Sequence, residues 1–302
     1  MLDPAISSAM LKATVKVRWT FGKSKDTRYW TGFIVGRVGV MVIVMTIAHD
    51  AALQGFDLKT LRAGGLNSIE VVFHGSEDAF GCYVECYIPK SEILLLSVMP
   101  GLKVFYPFKF ASDCDGDGDE DGWNLENDMD VWTCSHPCAL DWCIHRGYIS
   151  RKLIPNKLKQ YDPNMIMFDY TMGIGTGSSG SAVVNRKGLV VGMQSGQITE
   201  STTFLNGKSV GDALKQQSEA SKNRIKPSLN LANFCFHPSD IQVLKTQPCG
   251  VKQAVHVKYI DTILRREFSY LPGAKYLSLN ALIEQHVKIS HYVTSSSGTA
   301  MT

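Results

Sequence analysis

Three residues, in the order His49, Glu92 and Ser179, could together perform acyl transfer. Ser179 lies in Gly173-Ile-Gly175-Thr-Gly177-Ser178-Ser179-Gly180-Ser181, a glycine-dense turn that runs straight into the apolar Ala182-Val183-Val184. Glycine permits positive φ and a close approach of backbone to ligand. A serine on such a turn can stand exposed while neighbouring N–H groups converge, which is the arrangement of a nucleophile beside an oxyanion hole. The N–H groups of Gly177 and Ser179 would be the donors, with Ser178 alongside the substrate. His49 follows the apolar run Met41–Ala48, where a strand end can present an imidazole that titrates near neutral pH. Glu92 opens Glu92-Ile-Leu-Leu-Leu96, so a core strand would hold its carboxylate where it could accept a ring N–H and fix the histidine tautomer. Asp78 is the second candidate acid, and a dyad without an acid is the third arrangement. Singly, each feature also has an ordinary reading: a Gly/Ser hairpin, a surface histidine, a solvated strand-end carboxylate.

The elements that must position these residues are mostly strands. Residues 12–20 alternate, 30–35 and 40–47 are β-branched runs split by Gly36 and Gly39, and 69–73, 82–88 and 93–98 follow. Six short strands with turn signals between them predict a β-barrel over residues 1–112. Strand signals resume at 131–134, 144–150, 165–170, 182–184 and 189–193, predicting a second barrel over 113–206 that begins with an acidic connecting loop. Beyond 206 the chain turns polar and basic. A short helix is expected around 210–221, and apolar residues at helical spacing occur over 255–268 and 276–289. The expectation is a mostly β protein, two antiparallel barrels followed by a linker and a small α or α+β domain over 207–302, with a disordered tail from Thr294.

The ordered set of motifs resembles the chymotrypsin-fold proteases over about residues 12–205. Thr46-Ile-Ala-His49 is similar to that family's T-A-A-H, Glu92-Ile-Leu-Leu-Leu to its D-I-A-L-L, and Gly177-Ser-Ser179-Gly-Ser to its G-D-S-G-G. Ser135-His-Pro137 with Gly147-Tyr-Ile-Ser150 resembles the strand pair opening the second barrel. Gly188-Leu-Val-Val-Gly192 resembles the strand lining the substrate cleft. Glutamate as the acid and Ser181 after the Ser-Gly pair depart from the cellular members. They look more like main proteases of positive-strand RNA viruses, among which nidoviruses add a C-terminal domain to two barrels. The resemblance implies a serine endopeptidase that cleaves a viral polyprotein in the cytoplasm of an infected host cell, without a cofactor. A cellular trypsin-like or HtrA-like protease is the alternative, and an inactive barrel module binding peptide or RNA is a third reading.

In the viral family the strand after the nucleophile often carries G-x-H-x-G, whose histidine reads a P1 glutamine. Here the segment is Gly192-Met193-Gln194-Ser195-Gly196. Gln194 can donate and accept, so the resemblance implies a polar P1 side chain without strict glutamine selectivity.

Composition sets the outer bounds. The chain of 302 residues is 44% hydrophobic and 20% charged, ordinary values for a globular protein. A net charge of +3 does not by itself argue for nucleic acid. Eight cysteines in this length form no small secreted framework, which points to reduced thiols. No signal peptide is evident at the N-terminus, and the apolar stretch 32–48, broken by Arg37 and three glycines, predicts two buried strands rather than a membrane span. The basic excess in 207–302 is compatible with self-association as a homodimer or with RNA contact. Asp117-x-Asp119-x-Asp121-Gly122 with Asp128 matches a calcium-loop spacing, but Asn124 stands at the eighth position and a solvated acidic loop is the simpler reading. Cys134, His136, Cys138, Cys143 and His145 cluster in sequence, yet strand alternation sends them to different faces, so no metal is expected.

Overall fold

The computed structural model describes residues 2–21, 26–48, 68–101, 105–113, 125–137, 140–155, 161–172, 177–197, 204–205, 208–209 and 251–297. His49, Cys138, most of the acidic loop and the helix expected around 210–221 lie outside the described residues.

The described chain opens with a helix the sequence reading did not anticipate, α1 (Pro4–Ala13). Asp3 caps it by accepting from the Ala5 N–H at 2.7 Å, and Pro4 sits in the first turn, where its missing N–H costs nothing. The strands β1 (Thr14–Phe21), β2 (Asp26–Val38), β3 (Met41–Thr46), β4 (Ser68–Phe73), β5 (Ala79–Ile88) and β6 (Ile93–Val98) close into a barrel in the order β1-β2-β3-β6-β5-β4. The hairpin between β2 and β3 turns at Gly39, with φ +60°. Gly36, read from sequence as a second break, is instead a register shift inside β2, where a Cβ would come within 2.8 Å of Glu284.

The mostly apolar strands β3 and β6 are buried on both faces. Val42, Val44, Leu94 and Leu96 fill the barrel interior with Val15, Val17 and Ile34. Their alternate neighbours Ile43, Met45, Ile93 and Leu95 join Phe33 in a larger core that also holds Trp132, Val183, Ile260 and Leu282. Period-2 alternation thus separates two apolar environments rather than core from solvent.

The second barrel is β7 (Asp130–Ser135), β8 (Cys143–Pro155), β9 (Ile166–Thr171), β10 (Ala182–Val184), β11 (Val190–Gln197) and a sixth strand supplied from far along the chain. A short hairpin, β12 (Phe204–Leu205) with β13 (Lys208–Ser209), intervenes before β14 (Val251–His256) enters the ring between β11 and β9. The helices α2 (Val257–Glu267) and α3 (Leu279–Ser297) follow. Helix α2 matches the apolar spacing seen in 255–268. Helix α3 runs on to Ser297, through residues expected to be a disordered tail. The expected extra domain over 207–302 differs from the observed grouping, in which Lys252–Thr302 forms one compact unit with Met1–Gly196 and Gln197–Val251 forms a second. The physical reason is that β14 supplies the second barrel's sixth strand and α2 contributes Ile260 and Leu264 to the shared core.

Side chains of α3 hold it to the first barrel. Asn280 Nδ2 donates to Val35 O and to Phe108 O, and His291 Nε2 lies 2.7 Å from Glu85 Oε1. The connecting segment bonds to both barrels: Phe108 N donates to Ile34 O and Val190 N to Lys109 O, each at 2.9 Å. Among the described residues no helix is long and apolar enough to cross a membrane.

Candidate active site

The turn 177–181 is built by fixing its peptide planes one after another. Thr31 Oγ1 donates to Gly177 O at 2.8 Å, which holds the 177–178 plane. Ser181 N donates to Ser178 O at 3.1 Å, which holds the 178–179 plane. Because a trans peptide sets C=O and N–H on opposite sides, the Ser179 N–H points away from Ser181. Thr31 N donates to Ser179 O at 3.0 Å and Gly180 N to Gln194 O at 2.8 Å, which hold the 179–180 plane from both ends. The two glycines are required by crowding. Gly177, at φ +98°, would bring a Cβ to 2.5 Å from His136 O. Gly180, at φ +85°, would bring one to 2.2 Å from Thr31 O.

Three serines lie in this turn, and their environments separate them. Ser178 and Ser181 are fully buried. The Ser178 hydroxyl accepts from Ser135 Oγ at 3.2 Å, and the Ser181 hydroxyl donates to Gln194 Oε1 at 3.3 Å. Ser179 alone is partly exposed. The expectation that Ser178 lies alongside substrate therefore applies to its backbone, since its side chain faces Ser135.

Glu92 is 0% exposed and adopts left-handed backbone, φ 63°, directly after the 3-10 turn Pro89–Ser91. Such a φ is uncommon for a residue other than glycine and needs support from its surroundings. The turn before it is held by a relay: Ser91 Oγ is 2.9 Å from Tyr259 Oη on α2, which donates to Asp162 Oδ2 at 2.7 Å, and Asp162 N donates to Lys90 O at 2.8 Å. The backbone N–H of Asn164, then the Tyr259 hydroxyl, keep the Asp162 carboxyl below its usual pKa. Across the barrel boundary Ser195 Oγ donates to Glu92 Oε2 at 3.5 Å, the long limit of a hydrogen bond. Asp78, the other candidate acid, is exposed in the β4–β5 turn, where its N–H bonds to Ser76 Oγ.

Gln194 is buried, 3% exposed, with its carbonyl accepting from the Tyr170 hydroxyl at 2.9 Å as well as from Ser181. Burial raises the Tyr170 pKa, so this hydroxyl stays protonated and needs an acceptor. That fixes the amide with its carbonyl toward Tyr170 and its NH2 toward the other side. Gly192, also expected on the substrate side, lies where a Cβ would meet Phe168 at 2.5 Å and Val255 O at 2.7 Å. Its role in the structure is close packing within the barrel wall.

Behind the turn, buried His136 places its N–H 3.1 Å from Thr31 Oγ1 and its ring edge-on to Trp142, centroids 4.9 Å apart. Burial, helped by Lys16, lowers its pKa to about 4, so the ring is neutral near pH 7. Burial likewise pushes the Cys134 thiol up to about 12. Among the described residues no group of three or more His, Cys, Asp or Glu could hold a metal ion.

No protein-family model and no curated protein matches this sequence. Solved structures do. An HtrA-type protease, AlgW, solved with a tripeptide, aligns over 87% of this chain and 62% of its own length at 13% identity, with a TM-score of 0.53. The active form of the Rv3671c protease of M. tuberculosis aligns over 76% of this chain and 90% of its own at 20% identity, with a TM-score of 0.47. The chain has the chymotrypsin-like double-barrel fold.

Thr31, Thr46, Tyr170 and Ser195 were missed as site residues. The one signal Ser195 carries in the sequence is its place one residue past Gln194, near the end of an apolar strand. Thr31 and Thr46 carried none, because a threonine within a β-branched run is what a strand ordinarily contains.

Proposed function

We propose that the protein is a serine endopeptidase of the chymotrypsin fold, with Ser179 as nucleophile, His49 as base and Glu92 as the orienting acid. The observation that carries this reading is the state of the turn: one serine of three faces outward, and its peptide N–H is turned away from the turn's interior. Ser179 Oγ would attack the scissile carbonyl as His49 takes its proton. The Ser179 N–H, with that of Gly177, would stabilise the oxyanion. The imidazolium would return the proton to the leaving amine, and water would then hydrolyse the ester. Glu92 would approach this chemistry from the 3-10 turn that leads directly into the core strand Ile93–Val98.

Gln194 would offer its NH2 to the P1 side chain as a donor, because the carbonyl end of that amide already serves two hydroxyls. A P1 side chain bearing an acceptor oxygen, a carboxamide or carboxylate, fits that polarity. A cellular HtrA-like peptidase accords with the AlgW likeness better than a nidovirus-type polyprotease does.

Two measurements test the proposal. A fluorophosphonate probe should label the wild type at Ser179 and leave Ser179→Ala unlabelled, with both proteins folded. An unbiased peptide library should be cut by the wild type only. Absence of labelling together with salt-sensitive RNA binding would favour the inactive binding module instead.

A further inference from the structure

We infer that Thr31 is a positioning residue of the nucleophile turn, acting across the barrel boundary through its side-chain hydroxyl. The inference rests on the peptidase reading and adds to it a residue outside the His49–Glu92–Ser179 set.

Thr31 lies in β2 of the first barrel and is 0% exposed. Its hydroxyl donates its one proton to Gly177 O and accepts from His136 N, so a single oxygen joins two segments of the second barrel. Its backbone N–H donates to Ser179 O, and its backbone O accepts from Thr46 Oγ1 at 2.6 Å. Thr46 is the last residue of β3, three before His49. One residue therefore contacts the carbonyls on both sides of Ser178–Ser179 and the strand end that leads to the base. Gly32, immediately after it, lets this stretch sit tight in the first barrel: a Cβ there would come within 2.9 Å of Val44 and 3.0 Å of Val17. Thr31 is thus placed by the first barrel's interior and transmits that placement to the second barrel's turn.

The hydroxyl is the separable part. Thr31→Val keeps shape, β-branching and the backbone bonds to Ser179 O and from Thr46, and removes only Oγ1. Gly177 O and His136 N would then be buried without their partner, a condition relieved by movement of the turn. Thr31→Ser keeps the hydroxyl. Thr133 supplies a matched control: its Oγ1 donates to Ala182 O at 2.8 Å, a buried bond of the same kind that bears on β10 and not on the 177–180 planes.

The test compares Thr31→Val, Thr31→Ser, Thr133→Val and Ser179→Ala by kcat, KM, rate of fluorophosphonate labelling and thermal midpoint, all assayed well below the midpoint. Thr31→Val should lose about 10- to 100-fold in kcat and in labelling rate with KM little changed. Thr31→Ser should return to within about threefold of wild type. Thr133→Val should lower the midpoint and leave kcat unchanged. Wild-type kcat in Thr31→Val overturns the inference, as does an equal loss of kcat in Thr31→Val and Thr133→Val, which would mark a general effect of stability. Cleavage by Ser179→Ala overturns the peptidase reading itself, a failure distinguishable because it does not depend on residue 31.

Discussion

Ser195 Oγ and Glu92 Oε2 lie 3.5 Å apart, joining the end of the second barrel's β11 to the residue that immediately precedes β6 of the first. The carboxylate that would orient the base is thus held from both barrels, by its own strand behind and by a hydroxyl in front. Glu92→Gln keeps the size and removes the charge that stabilises an imidazolium. It should lower kcat by about 10²- to 10⁴-fold, with KM little moved. Ser195→Ala should cost less than about tenfold, because it loosens the carboxylate without neutralising it. Asp78→Asn should be neutral, since Asp78 sits exposed in a turn. Steady-state kinetics on one peptide substrate distinguishes the three, and a dead Asp78→Asn beside an active Glu92→Gln would reassign the acid.

Gln194 sets a second expectation. With its carbonyl engaged by Tyr170 and Ser181, the amide should favour P1 residues carrying an acceptor. Gln194→Glu replaces the donor with a negative charge and should lower cleavage after acidic P1 residues by at least about tenfold relative to the wild type. Tyr170→Phe removes the hydroxyl that fixes the amide, so the P1 profile should broaden while kcat on the best substrate changes less. Mass spectrometry of peptides cut from a library reads both effects. Identical profiles in wild type and Gln194→Glu would remove Gln194 from the pocket.

Much of this was legible from local pattern. Ser179 announced itself through glycines that the backbone needs at Gly177 and Gly180, and Glu92 through its place before the four apolar residues Ile93–Leu96. Strand positions followed from alternation and from Gly/Asp turns. What escaped is what local pattern cannot carry. The sixth strand of the second barrel, Val251–His256, is far in sequence from its neighbour β11, and its apolar residues ran on into those of the following helix. Thr31 matters through five hydrogen bonds to residues 15 to 148 positions away, none of which leaves a mark on its neighbours in sequence. The likeness to viral proteases leans on Glu92, on Ser181 and on the C-terminal extension, yet Ser181 is buried against Gln194, so its identity answers to packing in this turn.

The described cysteines Cys82, Cys86 and Cys134 should be inert in the folded protein. Burial raises all three thiols, Cys86 and Cys134 to about 12 and Cys82 further. At about pH 8 the thiolate fraction at a pKa of about 12 is on the order of one in ten thousand. Iodoacetamide should leave these three unmodified in the native protein and alkylate them once urea unfolds it, as peptide mapping would record. Rapid native modification of Cys134 would contradict its burial.

The glycines of the turn and of the β2–β3 hairpin should respond differently to alanine. Gly180→Ala forces a Cβ against Thr31 O, Thr46 Oγ1 and Ile47 N at 2.2, 2.4 and 2.9 Å, two of them backbone atoms that cannot swing aside. Cleavage should be nearly abolished and stability lowered by more than about 2 kcal/mol. Gly39→Ala meets nothing within 4 Å, so only its φ of +60° is penalised. It should cost about 1 kcal/mol and leave kcat unchanged. Denaturant melts of the two variants, paired with kinetics, check the contrast.

His136 gives the fold a pH dependence with a definite sign. Its folded pKa, about 4, lies below its ordinary value of 6.5, with burial the main cause and Lys16 the next. Between those values the unfolded chain binds a proton that the folded protein does not, so stability rises with pH across the window. The contribution is complete above about pH 6.5 and is lost as the pH falls toward 4, up to about 3 kcal/mol in all. His136→Phe retains the backbone N–H that bonds to Thr31 Oγ1 and removes the titrating ring. Urea denaturation of wild type and variant at about pH 7 and about pH 4.5 should show a larger drop for the wild type. Equal drops would mean that the ring is already protonated in the folded protein, which would place a charge beside the turn that carries Ser179.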